Sequence, residues 1–178
     1  IEGIVHVYVH KKADLEIAKK VVQNSKSRRP GICGAVETLL IDKEFYINHG
    51  NELIDFLIAN GIEIRADKAL FKNKFIVSVS DSDYGHEFLE NILAVKVVKD
   101  IDAAISHIRN FGSNHTDCIL PEDKSASDLF FKKLDSSILL CNASTQYADG
   151  GEFGFGGEVG ISTNKLHARG PIGGEHLV

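Results

Sequence analysis

Apolar residues fill both phases of the alternation that opens the chain. Ile4, His6 and Tyr8 fall on one face of an extended segment and Val5, Val7 and Val9 on the other. That is the pattern of a strand covered on both sides, as in a parallel sheet flanked by helices. Asp14 starts a helical pattern carried by Leu15, Ala18, Val21 and Val22, and the polar run Ser25 to Pro30 breaks it. A short segment then leads Cys33 into a strand at Glu37-Thr38-Leu39-Leu40-Ile41. Glu44 to Asn60 reads as a second amphipathic helix stopped by Asn60-Gly61, and Glu63-Ile64-Arg65 as a short strand. Residues 74–79 alternate, Ser80 to His86 is a polar loop, and Ile92 to Val98 is a strongly apolar strand. Asp100 caps a helix that ends at Phe111-Gly112; Cys118 to Leu120, Ser125 to Leu134 and Ile138 to Cys141 then read as strand, helix and strand. Strands alternating with helices predict an α/β domain with a mostly parallel sheet.

From Asn142 the texture changes. Gly150, Gly151, Gly154, Gly156, Gly157 and Gly160 crowd eleven positions, and Gly170, Gly173 and Gly174 follow. A stretch this long without clear secondary structure in a compact domain points to function. The tail with Ile172, Leu177 and Val178 is expected to pack on a surface outside this chain.

At 178 residues, 43% hydrophobic and 25% charged, the chain has the size and composition of one globular domain. A net charge of -5 with no basic stripe argues against nucleic acid. The one dense basic patch, Lys26-Ser27-Arg28-Arg29, is too short to track a duplex. No apolar run approaches the ~20 residues of a membrane-spanning helix. Three widely spaced cysteines suit a reducing compartment, and a cytoplasmic location is expected. No metal is expected, since His115-Thr116-Asp117-Cys118 offers only two of the four ligands a structural zinc takes.

Cys33 is the sharpest chemical candidate. It follows Arg28-Arg29-Pro30-Gly31 and precedes Gly34 and Ala35, so small neighbours admit a substrate and nearby guanidinium groups would favour the thiolate. A buried, inert cysteine ahead of a strand fits the same local sequence. Cys118 and Cys141 lie in apolar runs and read as core. The glycines from 150 to 160 do not spell a dinucleotide fingerprint; they form a tight loop or a cradle whose amides grip an anion. His167-Ala168-Arg169-Gly170-Pro171 offers a guanidinium either for a carboxylate or phosphate or for an interdomain salt bridge. His107 and His115, flanking a helix end, read as structural, and Asp81 with Asp83 as a solvated loop.

Several of these segments together resemble one family. They are Arg29-Pro30 with Cys33-Gly34-Ala35-Val36-Glu37-Thr38-Leu39-Leu40-Ile41; Val98 through Ala104 to Ile108 with Gly112 to Asp117; Asn142-Ala143-Ser144-Thr145; Phe153 to Thr163; and His167 to Pro171. This pattern is similar to the gamma-glutamyl phosphate reductases (glutamate-5-semialdehyde dehydrogenases), of the aldehyde dehydrogenase superfamily. The sequence departs from them at Gly34, at Phe111 and at Gln146-Tyr147. The resemblance implies a three-layer αβα catalytic domain spanning residues 1–178. It also implies that an N-terminal NADP-binding domain lies outside this chain and that residues 1–178 alone do not turn over. The implied reaction is NADPH-dependent reduction of gamma-glutamyl phosphate to glutamate 5-semialdehyde and phosphate, in proline biosynthesis. Cys33 would be the nucleophile and Glu87 the glutamate at the nicotinamide ribose. Gly154, Gly156, Gly157, Ser162 and Arg169 would serve the substrate, and the full-length protein would be a homo-oligomer. A catalytically silent domain of the same fold, kept for assembly or regulation, is the rival from another class.

Overall fold

In a computed structural model describing residues 2–165 and 168–176, seven parallel strands form one sheet in the order β4-β3-β5-β2-β1-β6-β7. The strands are β1 (Val5–Val9), β2 (Val36–Asp42), β3 (Glu63–Ala66), β4 (Val77–Ser78), β5 (Ile92–Val98), β6 (Thr116–Leu120) and β7 (Ile138–Cys141). The helices are α1 (Leu15–Ser27), α2 (Lys43–Phe45), α3 (Asn51–Ala59), α4 (Ile101–Phe111) and α5 (Lys124–Lys133). A π-helical segment, Tyr46–Gly50, joins α2 to α3. His167, Leu177 and Val178, singled out above, lie outside the described residues.

Both phases of β1 are buried, as the opening alternation predicts. Val5, Val7 and Val9 pack with Ala18 and Val22 of α1 and Leu53, Ile54 and Leu57 of α3. Tyr8 and Leu40 face the opposite layer, with Ala104, Ile105 and Ile108 of α4 and Phe130 of α5. The sheet is thus sandwiched between helices, the expected three-layer αβα arrangement. Helix starts follow local chemistry: Asp14 and Asp100 accept hydrogen bonds from the Ile17 and Ala103 amides. Gly61, at φ +81°, lets the chain turn from α3 into β3. Among the described residues no helix is long and apolar enough to cross a membrane, and no group of three potential metal ligands occurs.

Several sequence expectations need correction. α1 continues through Ser25 to Ser27, because Ser25 and Lys26 point inward and find buried partners. The alternation at 74–79 yields only the two-residue β4, with Phe75 and Val77 exposed at the sheet edge. Asp83 is buried: its carboxylate caps a 3-10 turn at Asp81–Gly85 and pairs with Arg65 at 2.8 Å. Cys141 is exposed, because it ends the edge strand β7 where no further strand pairs. The glycine-rich region also holds a two-stranded antiparallel sheet, β8 (Gly160–Ser162) with β9 (Gly170–Ile172).

Candidate active site

Cys33 sits in a turn at the amino end of β2, closed by the Ala35 amide donating to the Ile32 carbonyl at 2.9 Å. Two glycines seat that turn. A Cβ on Gly3 would lie 2.3 Å from the Cys33 carbonyl oxygen, and one on Gly34 would lie 3.2 Å from the Thr145 carbonyl. A side chain at position 3 therefore forces backbone apart, and one at position 34 would need the Thr145 segment behind it to give by a few tenths of an ångström.

The Thr145 segment is itself fastened to the end of α1. Ser25 Oγ accepts from the Thr145 amide at 3.0 Å. The buried Gln146 donates through Nε2 to the carbonyls of Ser25 at 2.9 Å and Arg29 at 3.3 Å. Gln146 thus satisfies the Ser25 carbonyl in the last turn of α1, which would otherwise be orphaned, and the Arg29 carbonyl just beyond the helix.

Of the expected site residues, Cys33 and Glu87 come together. The Cys33 side chain is exposed, yet its thiol is pushed up from the usual value, first by burial against the surrounding turn and then by the carboxylates of Glu158, Glu87 and Asp149. The expectation that neighbouring guanidinium groups would favour the thiolate is not met. Arg28 turns away to pair with Glu152 at 2.5 Å and to cover the Tyr147 ring. Glu87 is half-buried, on the segment entering β5.

Gly154, Gly157 and Arg169 line a separate cavity of about 510 Å³ together with Gly150 and Glu158. Gly154 and Gly156 take φ of +78° and +84°, the left-handed conformation that favours glycine. The loop is closed by the Gly150 amide donating to Glu158 Oε2 at 2.6 Å. Arg169 Nη1 pairs with Asp135 Oδ1 at 3.0 Å, a salt bridge within this chain. Ser162 lies on β8, where its carbonyl accepts from Ser137 Oγ at 2.9 Å; neither it nor Gly156 lines the cavity. Glu158 joins the two places, lining the cavity while its charge acts on Cys33. Sequence reading passed over Glu158 and Asp149, whose carboxylates bear on the thiol only after the glycine-rich segment folds back.

Cys118 contrasts with Cys33 and with the exposed Cys141. Cys118 is fully buried in β6 and its thiol is pushed up to about 12 by that burial. Iodoacetamide at neutral pH is therefore expected to leave Cys118 unmodified in the folded chain and to alkylate Cys33, with a rate that still climbs above the ordinary thiol range. Peptide mass mapping across a pH series checks this. Early modification of Cys118 would contradict the packing described.

Solved structures share this parallel αβα fold. A propionaldehyde dehydrogenase from Clostridium phytofermentans superposes with a TM-score of 0.71 at 18% identity, over 96% of this chain and 48% of that one. At the level of sequence the likeness is narrower: the chain is homologous to gamma-glutamyl phosphate reductase. The reductase of Rhodopseudomonas palustris strain TIE-1 is 51% identical over 99% of this chain and 41% of its own length. The Thermotoga maritima gamma-glutamyl phosphate reductase superposes with a TM-score of 0.93 at 37% identity, covering 99% of this chain and 43% of that chain. No family model matches the sequence. The chain thus spans about 41% of the length of such curated relatives.

Proposed function

We propose that this chain is the cysteine-bearing catalytic domain of an NADPH-dependent gamma-glutamyl phosphate reductase, acting in the cytoplasm on a step of proline biosynthesis. The observation that carries the reading is the half-identity to curated reductases along the whole chain, with an exposed cysteine in the turn entering β2. Cys33 is the nucleophile. Its thiolate adds to the acyl carbon of gamma-glutamyl phosphate, the C–S bond forms, the C–O bond to phosphate breaks and phosphate departs with the electron pair. The nicotinamide cofactor, when bound, supplies the hydride that reduces the resulting thioester. Cys33 then leaves as thiolate when the reduced centre collapses to the aldehyde.

Glu87 suits the ribose end of such a cofactor. Its carboxylate is half-buried beside the thiol and, among the described residues, makes no ion pair, so its oxygens are available to accept from hydroxyls. Arg169, Gly154 and Gly157 suit the substrate's anionic groups, by guanidinium charge and by close backbone approach. Gly156 shapes the same loop, and Ser162 stands at its far end. The remaining cofactor contacts belong to an N-terminal nucleotide-binding domain outside this chain, and the full-length protein acts as a homo-oligomer.

The direct test is acyl transfer to the cysteine. Incubated with gamma-glutamyl phosphate, the protein is expected to release phosphate and to carry a glutamyl thioester on the peptide containing Cys33, and Cys33→Ala is expected to carry none. An adduct elsewhere, or none on the folded wild-type chain joined to its nucleotide-binding domain, would overturn the assignment and favour the silent-domain reading.

A further inference from the structure

The last three residues of α1 and the cap residue after them each tie down a different segment. Ser25 holds Thr145, Lys26 holds Glu37, Ser27 holds Asn91 and Arg28 holds Glu152. The Lys26–Glu37 link stands apart because both side chains are almost wholly excluded from solvent, with Nζ and Oε2 2.7 Å apart. A buried ion pair is costly to assemble and is weak as a source of stability, so what else it touches matters. Glu37 Oε2 also accepts from the Phe88 amide at 3.3 Å, and the Lys26 ammonium stands 5.9 Å from the centre of the Phe88 ring.

Phe88 lies between Glu87 and Leu89, and the backbone there is held in an unfavourable shape. Leu89 has φ +57°, the left-handed region that a residue with a side chain keeps only when its surroundings impose it. A Cβ on Gly31 would meet the Leu89 carbonyl at 3.7 Å, so this segment abuts the Cys33 turn. Glu37 is four residues beyond Cys33 in the same run of chain.

We propose that Lys26 and Glu37 are a positioning pair: through the Phe88 amide they hold the Glu87–Leu89 segment against the Cys33 turn and so fix where the Glu87 carboxylate stands relative to the thiol. The charge on Lys26 orients the Glu37 carboxylate, Oε2 receives the amide, and the left-handed turn at Leu89 is kept in place. The importance of this for catalysis rests on Cys33 being the nucleophile and Glu87 a cofactor ligand. The geometry itself does not, and the test separates the two.

Two double variants remove both charges and differ at one atom set. K26M/E37Q keeps a carbonyl oxygen for the Phe88 amide, while K26M/E37L leaves that amide without an acceptor. Amide hydrogen exchange is expected to speed at Phe88 by about tenfold in K26M/E37L, the worth of one lost buried acceptor. It is expected to stay near the wild-type rate in K26M/E37Q. The pH profile of Cys33 alkylation is expected to move to lower pH in K26M/E37L, as the Glu87 charge swings away, and to stay in place in K26M/E37Q. Adding Glu87→Gln should make the two profiles coincide. Equal Phe88 exchange in the two doubles, or equal Cys33 profiles on the Glu87 background, would overturn the proposal. Should K26M/E37L fail to fold, K26M/E37M carries the same comparison with a more adaptable side chain. None of these readings needs turnover, so absence of acyl transfer to Cys33 would sink the proposed reaction and leave this geometry standing.

Discussion

Lys26→Met is expected to lower the unfolding free energy by about 3–5 kcal/mol, because it strands the Glu37 carboxylate in the interior without its cation. Glu37 already has its carboxyl raised to about 7, by burial first and against the opposing pull of Lys26. Without Lys26 it rises further. A carboxyl whose value is higher folded than unfolded penalises the folded state most at high pH, where the unfolded chain holds it ionised in water. The variant's deficit should therefore be greatest above neutral pH. It should shrink as pH falls toward the ordinary carboxyl range, where the group is neutral in both states. Urea melts of wild type and variant at several pH values would show the two stabilities converging on acidification. Parallel curves would mean that Glu37 was never a buried charge. Restoring neutrality with Glu37→Leu in the same chain should recover much of the loss, since a well-packed apolar pair often matches a buried ionic one.

Acid should unfold the protein through a histidine as well. His107 is buried on the inner face of α4, packed against His6, Tyr84 and Phe111, and its imidazole is pushed down to about 3, chiefly by burial and then by His6 and Lys96. It is therefore neutral at pH 7, which suits the structural role read for it from the sequence. A histidine whose value is lower folded than unfolded costs nothing above about 6.5. It withdraws stability progressively as pH falls from there toward 3, because only the unfolded chain takes up the proton. At about 1.4 kcal/mol per pH unit, this group alone withdraws on the order of 4 kcal/mol across that window. His115, also lowered by burial, adds to the effect. His107→Leu should shift the acid midpoint downward while leaving the neutral-pH melt less affected. An unchanged acid midpoint would place the sensitivity elsewhere.

The layers of the fold were legible in the sequence where periodicity is local. Both faces of β1, the Asp14 and Asp100 caps and the Gly61 stop follow from residues within a few positions of one another. Lys26 shows both the reach of that reading and its limit. It belongs to a dense basic run in the sequence, yet it stands four and eight residues beyond Val22 and Ala18, on the helix face that is wholly buried. The period alone could have turned it inward; its partner in the next strand could not be read. Asp83 was misread for the same reason, since Arg65, which neutralises it, comes from a separate strand. Around Cys33 the structure differs from the environment that the local sequence predicts. Arg28, five residues before Cys33, is turned away, while the carboxylates that act on the thiol arrive from segments more than fifty residues downstream.

The strand order carries a consequence for how the chain acquires its shape. β1 is flanked by β2 on one side and by β6 on the other, so its second edge waits for a partner 111 residues away. Parallel pairings at such separation close slowly, since loop entropy is lost before contacts repay it. The block β1, β2, β5 and β3 is complete once residue 98 has emerged, and it already contains the turn that bears Cys33. The Thr145 segment that backs Gly34 is far later in the chain. During synthesis the turn that bears Cys33 is thus made before the segment that backs it, and the seat of the thiol is completed only when the Thr145 segment folds onto it.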